Sequence, residues 1–402
     1  MKQKARFTMG PAALVAAAFI GPGTVVTASL AGANFGYALL WALVFSVVAT
    51  MILQEMAARL GVVTQQGLGE NIRAGISRPW LRRLVVLLIF AAVIIGNSVY
   101  QGGNISGARL GLADLLPIDG QYIPVVLGAL AAVVLWQGSY KVIEKVLIGL
   151  VLLMSVAFLA TFLLTQPDWG ALFSGLLIPS VPSGGILMVV ALIGTTVVPY
   201  NLFLHSSSCA QKWQSANDLG AARKDIYISV PLGGLISMAI VGTAASAFFG
   251  KAITIQGAAD LGQALQPLFG DSATTFMALG LFAAGLSSSL TAPLASAYAL
   301  SGVLGYSNNL KDKKFRATWF TILLVGVVIA SLGLKPIEVI IFAQVANGLL
   351  LPFMALFLVW VCNQPRLAQH RNSLLQNILG GLVCAVAIGL GARSIASAMG
   401  WL

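Results

Sequence analysis

Two short stretches, Gly21-Pro22-Gly23-Thr24 and Val198-Pro199-Tyr200-Asn201, interrupt apolar segments of the chain and decide its fold. Proline removes a backbone donor and clashes with the preceding helical turn, and flanking glycines make local unwinding easier. A helix in lipid must satisfy its own backbone, so such interruptions are tolerated only where they line a cavity or are buried in protein. Each proline alone is compatible with a simple kink, but the pair predicts two broken helices inside a membrane protein.

The composition of the 402-residue chain indicates a membrane protein, because 58% of its residues are hydrophobic and only 9% are charged. A soluble domain carries roughly 25% charged residues. The net charge of +11 does not indicate nucleic-acid binding, since most Lys and Arg lie in short loops between apolar runs. No nucleophile–base constellation, cofactor motif or ATP-binding glycine loop is visible, so neither an enzyme nor an ATP-driven pump is predicted.

The apolar runs predict eleven membrane helices, since a helix needs about 20 mostly apolar residues to cross a bilayer. We name them α1 to α11 in chain order; they lie near 8–34, 36–61, 82–108, 121–138, 141–165, 182–208, 226–250, 272–305, 315–334, 336–362 and 374–399. The first run is longer than the apolar region of a signal peptide and is predicted to be a membrane helix. The stretch 257–269 is too polar to span and predicts a short external helix or loop.

The distribution of basic residues predicts the orientation. All but four of the 23 Lys and Arg residues lie at the N-terminus or in loops on one side of the membrane; the four are Arg109, Lys251, Lys335 and Arg393. Positive charge is enriched on the cytoplasmic side. We therefore predict a protein of the cytoplasmic (inner) membrane, with its N-terminus inside and its C-terminus outside. Glu55 is expected to pair with a nearby arginine on the inside.

The spacing of the two breaks predicts an internal repeat. They fall in α1 and α6, each of which opens a unit of five helices, with α11 left over. The chain is thus predicted to be one transmembrane domain over 1–402, with repeat one at about 8–165, repeat two at about 182–362 and an extra helix at about 374–399. Matching breaks in two inverted repeats are the best sequence indication of a midplane binding site in secondary transporters.

Several motifs around these breaks resemble the NRAMP family of divalent metal transporters over most of the chain. The family has a Phe-Gly-Tyr-x-Leu-Leu-Trp stretch after α1, which matches Phe35-Gly36-Tyr37-Ala38-Leu39-Leu40-Trp41. It has Met-Pro-His-Asn-Leu-Tyr-Leu-His-Ser in α6, where this chain reads Val198-Pro199-Tyr200-Asn201-Leu202-Phe203-Leu204-His205-Ser206. Ala57-Ala58-Arg59-Leu60-Gly61 in α2, Gln344 in α10 and the following Leu351-Pro352-Phe353 also match. The resemblance implies an all-α fold, the LeuT-like 5+5 inverted repeat plus an eleventh helix.

The departures from the family fall on the residues that it uses to bind metal. Gly21 stands where the family has the metal-binding Asp, and Thr24 stands where it has Asn. Val198 replaces the Met, and Tyr200 replaces the first His of α6. The chain is therefore predicted to be a member that lacks the family's metal-binding Asp, Asn and Met.

The proton pathway of the family is also missing from α3. The acidic residues that relay protons there have no counterpart in Asn97-Ser98-Val99-Tyr100-Gln101-Gly102-Gly103-Asn104. Only His205 keeps its family identity among the ionisable groups. Proton coupling of the family's kind is therefore not expected.

The substrate predicted from these departures is a small anion such as bicarbonate. Second halves of broken helices begin with free backbone N–H groups and a positive dipole end, which bind anions. The residues predicted to bind the substrate are Gly21, Pro22, Gly23, Thr24, Thr195, Thr196, Val198, Tyr200, Asn201 and Gln344. Three alternatives stay open: a divalent metal ion (Mg²⁺ or Mn²⁺) held weakly through water, a small amino acid, and a channel or non-transporting sensor.

Coupling to Na⁺ is a further expectation from the sequence. Ser288 and Ser289 of α8 are hydroxyl residues at a place where LeuT-like carriers can hold Na⁺, although small residues there can simply pack against α1. His205 is the one candidate proton carrier near the break. The predicted partners are a small inorganic ion, the lipid bilayer and Na⁺.

Overall fold

The computed structural model describes residues 11, 20–113, 115, 120–138, 141–251 and 253–401, and these form helices joined by short loops. Most of the first half of predicted α1 lies outside the described residues, as does the predicted start of repeat one at residue 8. The unbroken membrane helices are α2 Leu40–Thr64, α3 Pro79–Ala113, α4 Ile123–Gln137, α5 Lys141–Leu164, α7 Leu219–Phe248, α8 Ala273–Leu304, α9 Lys313–Ala330, α10 Pro336–Cys362 and α11 Leu374–Ala398. The broken helices α1 and α6 are described below.

The predicted all-α fold of a polytopic membrane protein is confirmed, while the count of eleven membrane helices stays a prediction. Eight helices of the described part are long and apolar enough to cross a membrane. Large apolar side chains cover much of the outer surface, as expected of helices that face lipid. The run 272–305 is one continuous helix, and the stretch 257–269 forms short helices such as Ala258–Gly262.

Both predicted helix breaks are present. After a bend at residues 20–21, the second half of α1 (α1b) begins at Pro22 and ends at Phe35. Helix α6 is divided into α6a, Ile186–Thr196, and α6b, Pro199–Lys212, by extended backbone at Val198. Both prolines occupy the first turn of the helix that follows, where a missing N–H has no helical partner to lose. Proline therefore ends one half-helix and starts the next.

Glycines bring the helices that carry these breaks into close contact. A Cβ on Gly194 of α6a would lie 2.0 Å from the carbonyl oxygen of Gln344 in α10. A Cβ on Gly32 of α1b would lie 2.2 Å from the carbonyl oxygen of Val241 in α7. Small residues allow such backbone approach between helices in membranes, where van der Waals packing drives association. The broken helices are thus fixed against α7 and α10.

Candidate functional site

The two breaks meet in the centre of the bundle. The hydroxyl groups of Thr24 in α1b and Thr195 in α6a form a hydrogen bond, although 171 positions separate them in the chain. Gly23 faces α10, because a Cβ there would lie 2.2 Å from the side-chain nitrogen of Gln344. Pro22 fits against Gly107 of α3, whose Cβ would lie 2.2 Å from the proline Cβ. Elements that are distant in sequence therefore form one site around the start of α1b.

Half-helix ends of both polarities face this site. Helices α1b and α6b begin here, and a helix start carries a partial positive charge and unsatisfied N–H groups. Helix α6a ends here at Thr196, and a helix end carries a partial negative charge and unsatisfied carbonyl groups. Backbone alone thus supplies donors for an anion and acceptors for a cation. The side chains at the breaks therefore determine whether the site binds an anion or a cation.

The side chains at the break include buried amides that lack hydrogen-bond partners. Neither polar atom of the Asn201 side chain in α6b has a partner among the described residues. The same holds for both polar atoms of Asn347 and for the side-chain oxygen of Gln344, one turn apart on α10. All three residues are about 1% exposed. Each unpaired buried polar group lowers the stability of the folded protein by about 1–3 kcal/mol, so the presence of several at one place requires an explanation. A solute that binds these groups would explain it.

Aromatic side chains fill the space beside α6b. The rings of Tyr100 and Tyr200 pack with their centres 5.4 Å apart, and both side chains are buried. A small cavity next to them is lined by Asn97, Asn347 and Pro199 with neighbouring apolar residues. The Tyr100–Tyr200 pair therefore leaves little open space beside the start of α6b. This arrangement favours a solute of few atoms.

A row of amides on α3 binds α8, at the place where the resembled family carries acids. Asn97 donates to the hydroxyl of Ser296 at 2.7 Å, and Gln101 donates to the carbonyl of Ser289 at 3.1 Å. Pro293 lies four residues after Ser289 in α8 and has no N–H, so it leaves that carbonyl without its helical partner. The side chain of Gln101 takes the place of the missing donor. The amides of Asn97 and Gln101 therefore hold α3 against α8, and they carry no charge.

We expect Gln101→Leu to lower the free energy of unfolding by about 1–2 kcal/mol, because the Ser289 carbonyl would then be buried without a donor. In a Pro293→Ala background the new amide at position 293 supplies that donor, and the same substitution should cost less. Thermal unfolding of the wild type, both single variants and the double variant measures the coupling. Equal costs of Gln101→Leu in both backgrounds would contradict this account of the row.

The residues predicted to hold a coupling ion are buried but differ in their surroundings. The carbonyls of Ser288 and Ser289 lie within hydrogen-bond distance of the amides of Asn104 and Gln101, so α3 occupies them in this structure. The Ser289 hydroxyl has no partner among the described residues. The Nε2 atom of His205 lies 3.6 Å from the Cys209 sulfur, one turn along α6b. The roles of Ser288, Ser289 and His205 in coupling stay predictions.

The structure also places residues at the site that the sequence prediction missed. The predicted residues Thr24, Thr195, Thr196, Val198, Tyr200, Asn201 and Gln344 are all buried around the breaks. Asn347 and Tyr100 belong with them but were not predicted. Asn347 could have been predicted from the sequence, because it is a polar residue three positions after Gln344 and so lies on the same face of an apolar helix. Tyr100 could not have been predicted, since its contact with Tyr200 depends on packing.

No Asp or Glu lies in the described half-helices α1b, α6a and α6b. Within the described part of the chain, no group of three or more His, Cys, Asp or Glu side chains is placed to hold a metal ion. The carboxylate of Glu55 in α2 is paired with Arg59 at 3.2 Å and Arg223 at 2.8 Å, which confirms the expected ion pair. Glu70 lies in the short helix Leu68–Gly75 after α2, where burial raises the pKa of its carboxyl group. The site at the breaks is therefore neutral.

Comparisons with known proteins agree with this architecture. A family model described as natural resistance-associated macrophage protein-like (Nramp) matches residues 12–397. The divalent metal cation transporter MntH of Klebsiella pneumoniae (strain 342) is 30% identical over 409 residues, which cover 95% of this chain and 92% of that protein. The protein of the same name from Yersinia pestis (strain Pestoides F) is 29% identical over 413 residues, covering 97% and 94%.

Solved structures share the fold. A crystal structure of a mutant Eremococcus coleocola manganese transporter superposes with a TM-score of 0.79 at 22% identity, covering 99% of this chain and 89% of that one. Mhp1, a nucleobase-cation-symport-1 family transporter, superposes with a TM-score of 0.52 at 14% identity, covering 97% and 93%. The predicted all-α fold with broken α1 and α6 is therefore one that known transporters share.

Proposed function

Because this chain belongs to the natural resistance-associated macrophage protein (NRAMP) family, we propose that it is a secondary-active transporter that binds a small inorganic ion between the breaks of α1 and α6. The buried amides of Asn201 and Asn347 and the side-chain oxygen of Gln344 carry this proposal, since they lack partners among the described residues and are the groups that a bound solute would satisfy. Broken helices with substrate sites at the midplane are the usual design of such carriers.

A divalent metal ion is the substrate that the relatives favour. The similar proteins are named as divalent metal cation or manganese transporters. Their names support the alternative of a weakly held metal better than they support the bicarbonate that the sequence pattern suggested. With Gly21, Thr24 and Val198 at the break, the ligands available are hydroxyls, amides and carbonyls. Mg²⁺ keeps several waters at such sites, so metal binding here would be weak and would retain part of the hydration shell.

A small anion is the second candidate, and the neutral lining of the break favours it. Gly21 occupies the position of the family's metal-binding Asp. The carboxylate that would repel an anion at the start of α1b is therefore absent from that position. The positive ends of α1b and α6b point into the site, and half-helix starts bind anionic groups in related carriers. Na⁺ as a coupling ion is part of this candidate.

Uptake into liposomes separates the two candidates. The purified protein is reconstituted, and inward gradients of bicarbonate, Mn²⁺ or Mg²⁺ are imposed with and without Na⁺. A pH-sensitive dye inside the vesicles reports bicarbonate entry, and metal-sensitive dyes report Mn²⁺ and Mg²⁺. Empty vesicles are the control. We expect protein-dependent entry of one class of ion and not of the other.

The half-saturation concentration adds a quantitative test of the metal candidate. A site of neutral oxygens and water should hold Mn²⁺ or Mg²⁺ with a dissociation constant on the order of 10⁻³ M, as weak cation sites in proteins do. Saturation at micromolar Mn²⁺ would mean that a carboxylate outside the breaks enters the site. Entry of neither bicarbonate nor a metal would overturn the proposal that the substrate is one of these ions.

A further inference from the structure

A second polar cavity lies at the end of the bundle where most Lys and Arg residues are found. It has a volume of about 520 Å³ and is formed by α2, the start of α7, the loop before α11 and the first turns of α11. Its polar lining includes Glu55, Arg59, Arg223, His370 and Arg371. It is separate from the breaks of α1 and α6, whose residues do not line it.

The charged groups of this cavity differ in how they are bound. Arg59 is about 2% exposed, and its guanidinium donates to the carbonyl of His370 and to the side chain of Asn372 as well as to Glu55. Arg223 shares Glu55 at 2.8 Å, but 43% of its side chain remains exposed. Arg371 is exposed and makes no hydrogen bond or ion pair with another described residue. Three guanidinium groups therefore face a single carboxylate.

This excess of positive charge indicates an anionic ligand. A guanidinium presents a planar set of donors that matches the oxygens of a phosphate group, often in pairs. Arg59 fixes Glu55 and the loop, which leaves Arg223 and Arg371 on the open side of the cavity as the groups that meet the ligand. Gln376 also lines the cavity and donates weakly to Glu55 at 3.4 Å.

The surface next to the cavity is apolar and faces lipid. Tyr227 of α7 and Leu375 of α11 line the rim and are 54% and 64% exposed. On α2, Phe45, Val48 and Ile52 are partly or fully exposed and lie at helical spacing from Glu55, so they form one stripe that ends at the cavity. A free anion gains nothing from an apolar stripe, whereas a lipid acyl chain can pack against it.

We propose that this cavity binds the phosphate head group of an anionic phospholipid, with an acyl chain along the stripe on α2 between α7 and α11. Basic pockets between membrane helices on the cytoplasmic side are known to hold anionic lipid head groups. The basic loops of this chain predict that the cavity opens to that side. The bound lipid joins α2, α7 and α11 by contacts to one head group.

The test uses the full-length protein in a neutral detergent and follows its thermal unfolding by tryptophan fluorescence. Phosphatidylglycerol, phosphatidylcholine and inorganic phosphate are titrated separately. We expect phosphatidylglycerol alone to raise the unfolding temperature. Arg371→Gln should weaken its apparent affinity roughly fivefold, the effect of one arginine near an anionic lipid. Without lipid, this variant should unfold like the wild type, because Arg371 has no hydrogen-bond or ion-pair partner among the described residues.

Arg366→Gln is the matched control. Arg366 lies five residues earlier in the same loop, is exposed and does not line the cavity. It should respond to phosphatidylglycerol as the wild type does. The proposal is wrong if phosphatidylcholine stabilises the protein equally, if Arg371→Gln and Arg366→Gln respond alike, or if inorganic phosphate gives the same shift as the lipid. The last result would assign the cavity to a free anion.

Discussion

Gly194→Ala is expected to destabilise this protein more than any substitution in the lining of the site. The added Cβ would lie 2.0 Å from the carbonyl oxygen of Gln344 and 2.6 Å from the nitrogen of Gly348. Both are backbone atoms of α10, so no side chain can move aside to make room. Overpacking a well-packed contact costs about 1–3 kcal/mol, and we expect the upper part of that range, about 3 kcal/mol. Because Gln344 lies at this contact, ion uptake should be lost as well.

The control for this prediction is Gly389→Ala in α11, where a Cβ would meet no atom within 4 Å. In a helix interior the change from Gly to Ala is favourable by up to about 1 kcal/mol, so this variant should be as stable as the wild type or slightly more stable. Thermal unfolding in detergent compares the two variants. If Gly194→Ala unfolds at the wild-type temperature, α6a and α10 do not pack as closely as the structure shows, and this prediction is contradicted.

The breaks could be predicted from sequence because they depend on local chemistry. Pro22 and Pro199 lie inside apolar runs long enough to span a bilayer, and proline limits the helix wherever it occurs. The same applies to the single helix over 272–305, whose length and composition are visible in the sequence. The spacing of the two breaks, each in the first helix of a five-helix unit, indicated that α1 and α6 belong together, and the resemblance to NRAMP proteins supported that pairing.

The partners of the polar residues could not be predicted in the same way. The hydrogen bond between Gln101 and the carbonyl of Ser289 joins positions 188 apart, and nothing in the local sequence of either residue indicates it. The sequence interpretation treated the amides of α3 as a loss of acids. The structure shows that they also replace a donor that Pro293 removes from α8. Tertiary contacts of this kind depend on packing geometry.

The substrate is the part of the account that the sequence describes least well. The residues at Gly21, Thr24 and Val198 show which strong metal ligands are missing, but a missing ligand does not identify what binds instead. Relatives that are 30% identical carry the name of a metal transporter, and the lining of the break is neutral. The orientation in the membrane, the repeat bounds and the use of Na⁺ likewise stay predictions.

Asn201→Leu is expected to separate function from stability. Its side chain has no partner among the described residues, so the folded protein bears the cost of burying it. Leucine has the same branched arrangement of heavy atoms, is somewhat larger and has no polar atoms. The free energy of unfolding should therefore stay the same or rise by about 1 kcal/mol. Ion uptake should fall roughly tenfold or more, since one lost hydrogen bond to the solute is worth about 1.5 kcal/mol.

Asn97→Leu provides the opposite pattern for comparison. Asn97 donates to Ser296 at 2.7 Å, so its replacement should lower the free energy of unfolding by about 1–2 kcal/mol. Both variants replace a buried asparagine with leucine. In the described part of the structure Asn97 has a hydrogen-bond partner and Asn201 has none, and that difference predicts the opposite effects on stability.

The measurement that tests the central claim most directly is the initial rate of ion uptake by the wild type and Asn201→Leu, reconstituted in equal folded amounts. The ion is the one that the wild type admits among bicarbonate, Mn²⁺ and Mg²⁺. The account predicts a loss of uptake of roughly tenfold or more in a variant that unfolds at or above the wild-type temperature. Wild-type uptake by Asn201→Leu would contradict it, because the solute would then pass without using the unpartnered amide at the break of α6.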